Sequence, residues 1–189
     1  MKKNIIIAGV GGQGILTIAS IIDTAAMLSG LNLKQAEVHG MSQRGGDVQS
    51  HLRISSDIIY SDLIAKGEAD LIIGVEPMEA LRYVEYLAED GKVVTSNEPF
   101  INIPNYPEIS KIEEELKAHN AISFDTTAVA KEAGNARASN VVILGAAAKY
   151  TEIATEKYYE AIETMFKSKG EKVVELNLKA FKLGAEIAI

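Results

Sequence analysis

The sequence predicts an α/β fold: an open, mostly parallel sheet with helices on both faces and a helical C-terminal tail. Three observations predict it. A β-branched run at residues 4–8 (NIIIA) opens onto a glycine cluster and then a helical pattern. Residues 69–75 (ADLIIGV) form a continuous apolar stretch of the kind buried on both faces of a parallel sheet. Strands and helices alternate as far as residue 125, and only helical patterns follow. The 189 residues suit one unit, since domains run to about 100 to 200 residues. With 47% apolar residues, a chain of this size can bury roughly 70% of its unfolded surface without disulfide or metal staples, which excludes intrinsic disorder.

Each element follows from its own signal. After the strand at 4–8 and the glycines, residues 13–29 place Ile15, Leu16, Ala19, Ile22, Ala26 and Leu28 at near-helical spacing. A second strand is predicted over Leu33–Val38, ending at His39-Gly40, and the polar loop MSQRGGD follows. Val48, His51–Ile54 and Ile58–Tyr60 read as strands paired in a hairpin. Pro77 fits the first turn of a helix continuing through MEALRYVEYLAE. KVVTSN (92–97) reads as a strand, Pro99–Pro107 as an extended connection, and 110–120 as a helix capped by Ser110 with Glu113 three residues on. AISFD (121–125) is the last strand, and helices are expected at 138–150, 155–168 and 172–188. The last of these sets Val173, Leu176, Ala180, Leu183 and Ile187 on one apolar face.

Composition narrows the function. Nineteen Lys and Arg against 26 Asp and Glu leave a net charge of −7, which argues against nucleic acid as a partner, because that binding draws on a basic face. With no cysteine the chain offers neither a disulfide framework nor thiolates for zinc or an iron-sulfur cluster, nor a cysteine nucleophile. Two lysines precede the first apolar run, as in a signal peptide, but Gly9, Gly11, Gly12 and Gln13 interrupt it. No apolar stretch reaches the roughly 18 residues of a membrane span, so no membrane partner and a cytoplasmic location are expected.

Two loops carry the chemistry. Gly9-Val10-Gly11-Gly12-Gln13-Gly14 fits G-x-G-x-x-G between a strand and a helix start, where free N–H groups and the helix dipole favour an anion. The same glycines would also serve a tight turn and close helix packing alone. An NAD site asks for an acid about 20 residues on, and the nearest is Glu37, 23 residues past Gly14. The Walker pattern fails because Ile15 follows Gly14. The second loop holds Gly40, Met41, Ser42, Gln43, Arg44, Gly45, Gly46 and Asp47. Loops after the first two strands project from the carboxyl edge of a parallel sheet, so the two should be neighbours. Arg44 has the planar fork that suits a phosphate or carboxylate, and it would equally serve as a solvated loop residue pairing with an acid.

Other chemistries fit less well. Gly40-Met41-Ser42-Gln43-Arg44 misses the G-x-S-x-G elbow at its last position. His39, His51 and His119 lack metal-ligand spacing, so no metal site and no catalytic residue is assigned. Glu113-Glu114-Glu115 reads as a solvated helix face, and Tyr83, Tyr86, Tyr158 and Tyr159 as packing on amphipathic helices.

Taken together, IIIAGVGGQGILT (5–17) and EVHGMSQRGGDVQSHLRIS (37–55), with ADLIIGVEPMEALR (69–82) and NVVILGAAA (140–148), resemble the gamma-type subunit or domain of the 2-oxoacid:ferredoxin oxidoreductases. Within that family the indolepyruvate branch is most similar. The resemblance implies a single Rossmann-like gamma-type catalytic domain over 1–189, of the pyruvate/ketoisovalerate oxidoreductase kind. It implies oxidative decarboxylation of an aryl pyruvate to an acyl-CoA, with electrons passed to ferredoxin by a hetero-oligomer. Thiamine diphosphate, Mg and iron-sulfur clusters would belong to a larger alpha subunit, since Gly46-Asp47-Val48 is no G-D-G motif and cofactors carry the hard steps. This chain, inactive alone, would help form the surface facing CoA and the partner through Gly9, Gly11, Gly12, Gln13, Gly14, Ser42, Gln43, Arg44, Gly45 and Gly46. A free-standing dinucleotide-binding oxidoreductase and a purely structural assembly subunit stay open as alternatives.

Overall fold

The computed structural model describes residues 1–39 and 45–187, without the side chain of His39. Its centre is β1 (Lys2–Val10), whose alternating side chains enter two separate cores: Ile5 and Ile7 on one face, Ile6 and Ala8 on the other. The remaining strands are β2 (Asn32–His39), β3 (Asp47–Ser55), β4 (Ala69–Gly74), β5 (Leu87–Ser96) and β6 (Ile122–Phe124). The described residues form one six-stranded sheet in the order β2-β3-β1-β4-β5-β6. β4 pairs parallel with β1, β5 with β4, and β6 with β5. β3 runs antiparallel to both β1 and β2. The sheet is therefore mostly parallel as expected, with one reversed strand between the first two.

That reversal corrects the expected hairpin. β3 pairs with β2, from Asn32 opposite Ser55 to His39 opposite Val48, while 58–60 is irregular chain. The first face is covered by α1 (Ile15–Leu28), α4 (Thr126–Ala133), α5 (Ser139–Ala148), α6 (Thr155–Phe166) and α7 (Glu171–Ile187). The second carries α2 (Pro77–Leu81), α3 (Ile109–Ala118) and smaller cores around Ile6, Ile72 and Met78.

Four further expectations need correcting. The helix expected over 78–89 stops at Leu81; a 3-10 turn spans Val84–Tyr86, and the chain re-enters the sheet at Leu87. Gly91 permits this early entry, because a Cβ there would lie 2.7 Å from the Ala69 carbonyl. α3 is preceded by Glu108 without a side-chain cap, so Ser110 lies inside the helix. α4 was not foreseen, although Asp125, accepting from Ala128 N at 2.7 Å, and the left-handed Gly134 bound it as start and stop signals. On α7 the buried residues are Asn177, Ala180, Phe181 and Gly184, whereas Ile187 is exposed and Val173, Leu176 and Leu183 flank the core. Among the described residues no helix is long and apolar enough to cross a membrane.

Candidate functional site

β1 ends in a turn that braces itself. Gln13 N donates to Val10 O at 3.1 Å, and Val10 N donates to the Gln13 side-chain oxygen at 2.7 Å. Gln13 thus closes the turn with one end of its amide. Gly12 (φ +102°) and Gly14 (φ +85°) adopt left-handed backbone that side chains resist. Asn140 of α5 packs against Gly14 so closely that a Cβ would lie 2.5 Å from its amide nitrogen. α1 starts at this turn with no side-chain cap and no acid in its first turn, which leaves its first N–H groups to solvent or a ligand.

The described end of the second loop, Gly45 and Gly46, lies beside this turn. Gly11 N donates to Gly46 O at 2.8 Å, and Gly45 N donates to Gly11 O at 3.3 Å. The cause differs from the expected parallel neighbours: β3 runs antiparallel beside β1 with Val10 opposite Asp47, which sets Gly45 and Gly46, just before Asp47, against the end of β1. Asn102 from the 97–108 connection donates to Gly45 O at 2.8 Å and so adds a third segment. Of the predicted residues, Gly9, Gly11, Gly12, Gln13, Gly14, Gly45 and Gly46 are brought together. Gly40, Ser42, Gln43 and Arg44 lie outside the described residues.

Two cavities flank the glycine turn. One, of about 440 Å³, is lined by Gly11, Gly12, Gly14, Leu16, Glu37 and Val48. The acid weighed for a ribose contact therefore faces the turn. It arrives on β2, however, at the sheet edge and one strand removed from β1, whereas the dinucleotide fold sets its second strand beside the first. The other cavity, of about 230 Å³, holds Gln13, Ser96, Glu98 and Thr126. There Glu98 accepts from Thr127 N at 3.0 Å and Thr126 Oγ1 at 3.3 Å, so the chain's own carboxylate occupies the start of α4. The pair straddles the point where connections change face, α1 after β1 against α2 after β4, the usual ligand position in open α/β sheets.

Behind the second loop stands a buried polar network that sequence reading missed. Glu76 is 0% exposed and accepts from Glu79 N at 2.8 Å, from Phe100 N at 3.1 Å and from the Tyr106 hydroxyl. Glu79 is 1% exposed. Arg82 Nε lies 2.8 Å from its Oε2 but at an angle that makes no hydrogen bond. Burial pushes the Glu79 carboxyl up to about 7, helped by Asp47 and Glu76 and opposed by Arg82. Tyr83 donates to both Asp47 oxygens, at 3.2 and 3.0 Å, and its hydroxyl is raised by burial and by Asp47. Tyr106 is likewise raised by burial and by Glu76. The only signal in the sequence was E-P-M-E, two acids in a strand-to-helix turn, which resembles any solvated helix start.

The other singled-out residues are structural. His51 is buried, with Nδ1 accepting from Ile64 N at 3.1 Å, and burial lowers its pKa against an opposing pull from Asp62. His119 ends α3, and Glu113, Glu114 and Glu115 are exposed. Tyr158 is fully buried, stacks on Phe181 and shares a hydrogen bond with Thr151. Among the described residues no three His, Cys, Asp or Glu side chains gather to hold a metal ion.

The chain matches the pyruvate ferredoxin/flavodoxin oxidoreductase family over residues 4–187. It is 41% identical over 199 residues to indolepyruvate oxidoreductase subunit IorB of Archaeoglobus fulgidus, covering 100% of this chain and 96% of that one. Among solved structures, the gamma subunit of a keto/oxoacid ferredoxin oxidoreductase from Geobacter sulfurreducens superposes with a TM-score of 0.72 at 26% identity, over 98% of both chains. The 2-oxoglutarate:ferredoxin oxidoreductase of Magnetococcus marinus, solved with 2-oxoglutarate, coenzyme A and succinyl-CoA bound, gives 0.77 at 24% identity. It covers 99% of this chain but 31% of that one.

Proposed function

Because the chain belongs to the pyruvate ferredoxin/flavodoxin oxidoreductase family, we propose that it works as the gamma-type subunit of an indolepyruvate-oxidising complex, as one domain over residues 1–189. The observation that carries this reading is identity of 41% along the whole length of a relative bearing that subunit's name. The complex would convert an aryl pyruvate and CoA to an acyl-CoA and carbon dioxide and pass two electrons to ferredoxin. This chain's residues do not fit the thiamine or cluster part of that chemistry: there is no cysteine to ligate iron, and Gly46-Asp47-Val48 is no thiamine motif. Those groups belong, on this reading, to an alpha subunit, and no step is assigned to them here.

What the chain offers is an anion-receptive edge. Gly9, Gly11, Gly12 and Gly14 let a phosphate approach the uncapped start of α1, and the cavity of about 440 Å³ beside it admits part of CoA. In sequence Ser42, Gln43 and Arg44 precede Gly45, and the guanidinium fork of Arg44 suits a CoA phosphate or an alpha-subunit carboxylate, the role this reading gives it. Leu16, Phe100 and Ile101 are exposed on the same edge and suit a partner surface.

Co-expression with the cysteine-rich, thiamine-binding partner tests the reading. The chain alone should show no indolepyruvate- and CoA-dependent viologen reduction, and the co-purified complex should show it. In the complex, Arg44→Lys should raise the apparent KM for CoA about tenfold for each 1.4 kcal/mol lost, or else weaken assembly and leave KM alone. Turnover by the chain alone, or two chains that elute separately at micromolar concentration, overturns it.

A further inference from the structure

One carboxylate oxygen pins both ends of a short strap. Oε1 of the wholly buried Glu76, the residue before α2, accepts from Phe100 N at 3.1 Å and from the Tyr106 hydroxyl. Its other oxygen caps the helix by accepting from Glu79 N at 2.8 Å. Between the two pins, Ile103 packs on the small core of Met78, Ile112 and Leu116. Its neighbour Asn102 reaches the glycine edge, where Nδ2 donates to Gly45 O at 2.8 Å. We propose that Asn102 is a positioning residue: through it the strap pinned on Glu76 holds Gly45 and Gly46 against Gly11, and so sets Gly11 in the wall of the cavity beside the glycine turn.

The contact is directed. A carbonyl only accepts, so the Gly45 oxygen fixes which end of the Asn102 amide faces it, and Oδ1 is left buried with no partner. An apolar side chain of the same branched shape would remove that unpaired acceptor. Packing alone therefore does not account for an asparagine here. On the far side of the bond the glycines interlock: Gly11 N donates to Gly46 O at 2.8 Å, and Gly45 N donates to Gly11 O at 3.3 Å. The second bond is long, and Gly45 is exposed with φ at +81°, so water competes readily for that pairing. The donor from Asn102 restrains Gly45 from a segment that is itself fixed on a buried acid. Any effect on a ligand rests on the reading above, in which the glycine edge receives a CoA phosphate.

Amide exchange of Gly11 and Gly45 in the intact chain, followed by NMR, tests the strap without CoA. Asn102→Leu keeps the branched shape and removes both the donor and the unpaired acceptor. Exchange at Gly11 and Gly45 should speed up about three- to tenfold, the factor that one ordinary hydrogen bond represents. The melting temperature should not fall, and α5 and α7 should stay as protected as before. Tyr106→Phe removes one pin of the strap and should speed the same two amides by a smaller factor. In the double variant this second change should add nothing at Gly11 and Gly45, because the strap reaches them through Asn102. Unchanged exchange in Asn102→Leu, a fully additive double variant, or a lower melting temperature with exchange rising throughout the chain overturns the proposal. In the assembled complex, Asn102→Leu should raise the apparent KM for CoA by a similar factor and leave kcat unaltered. If the exchange results hold and that KM does not move, the strap stands and it is the CoA reading of the glycine edge that fails.

Discussion

The two faces of the sheet are made of different material. On the first, α5 and α7 cross so closely that a Cβ on Gly184 would lie 1.9 Å from the Val142 carbonyl, and one on Gly145 2.1 Å from that of Phe181. Around that crossing lie Ile18, Ile22, Val142, Leu144, Tyr158 and Phe181, all buried. The second face has two helices, α2 and α3, a long connection and two small clusters, and it buries Glu76, Glu79, Tyr83 and His51 among them. The contrast teaches where each face gets its definition. Close packing fixes the first, and directed hydrogen bonds between charged or polar groups fix the second. The candidate site sits where the two meet, with α1 from the first face and Asp47 tied to the second.

The largest effect should therefore come from the helix crossing. Gly184→Ala sets a methyl against backbone that cannot step aside, and overpacking of this kind costs about 3 kcal/mol or more. Against a total stability of about 5 to 15 kcal/mol, urea unfolding should show a much lower midpoint with an unchanged slope. A loss below about 1 kcal/mol would mean the first face repacks freely, and the contrast would be broken.

The second face should lose less and lose it locally. Glu76→Gln keeps the size but replaces one acceptor oxygen by an amide that faces donors from Phe100, Tyr106 or Glu79. The cost should be about 2 kcal/mol. Hydrogen exchange should rise over 97–108 and leave α5 and α7 as protected as before. Uniform loosening of both faces would show that they form one cooperative unit.

The same contrast explains what could be read from the sequence. Periodicity located α5, α6 and α7, because apolar side chains at helical spacing report burial against a sheet. Strands β1 and β4 were equally plain as continuous apolar runs. What stayed hidden was set by partners far along the chain. β3 pairs with β2 rather than 58–60 because the hairpin closes over a longer loop, and nothing local in 47–60 distinguishes the two. α2 stops at Leu81 because the strand at Leu87 begins early, through a register shift beside Ala69. The glycine turn was legible because φ above zero demands glycine at Gly12 and Gly14. The Glu76 and Glu79 network was not, since a buried acid looks like an exposed one until its partners are known.

The smallest effect has the opposite sign and sharpens the comparison from within the first face. Asp23 on α1 is an acid on the face otherwise fixed by packing; its Oδ1 is buried without a partner, and burial lifts its pKa to about 6. A carboxyl whose folded pKa is raised contributes stability that is present in acid and lost as pH rises through the folded value. The parent should accordingly lose stability between about pH 4 and 6, where Asp23→Asn, having no proton to lose, should not. Above pH 7 the Asp23→Asn chain should be the more stable by about 1 kcal/mol, a figure discounted because the carboxyl is only partly buried. Thermal melts of the two chains at pH 4 and pH 8 check this, and the difference should shrink or reverse in acid. If the two curves run parallel across that range, Asp23 is solvated after all, and the first face carries no charge penalty that distinguishes it from the second.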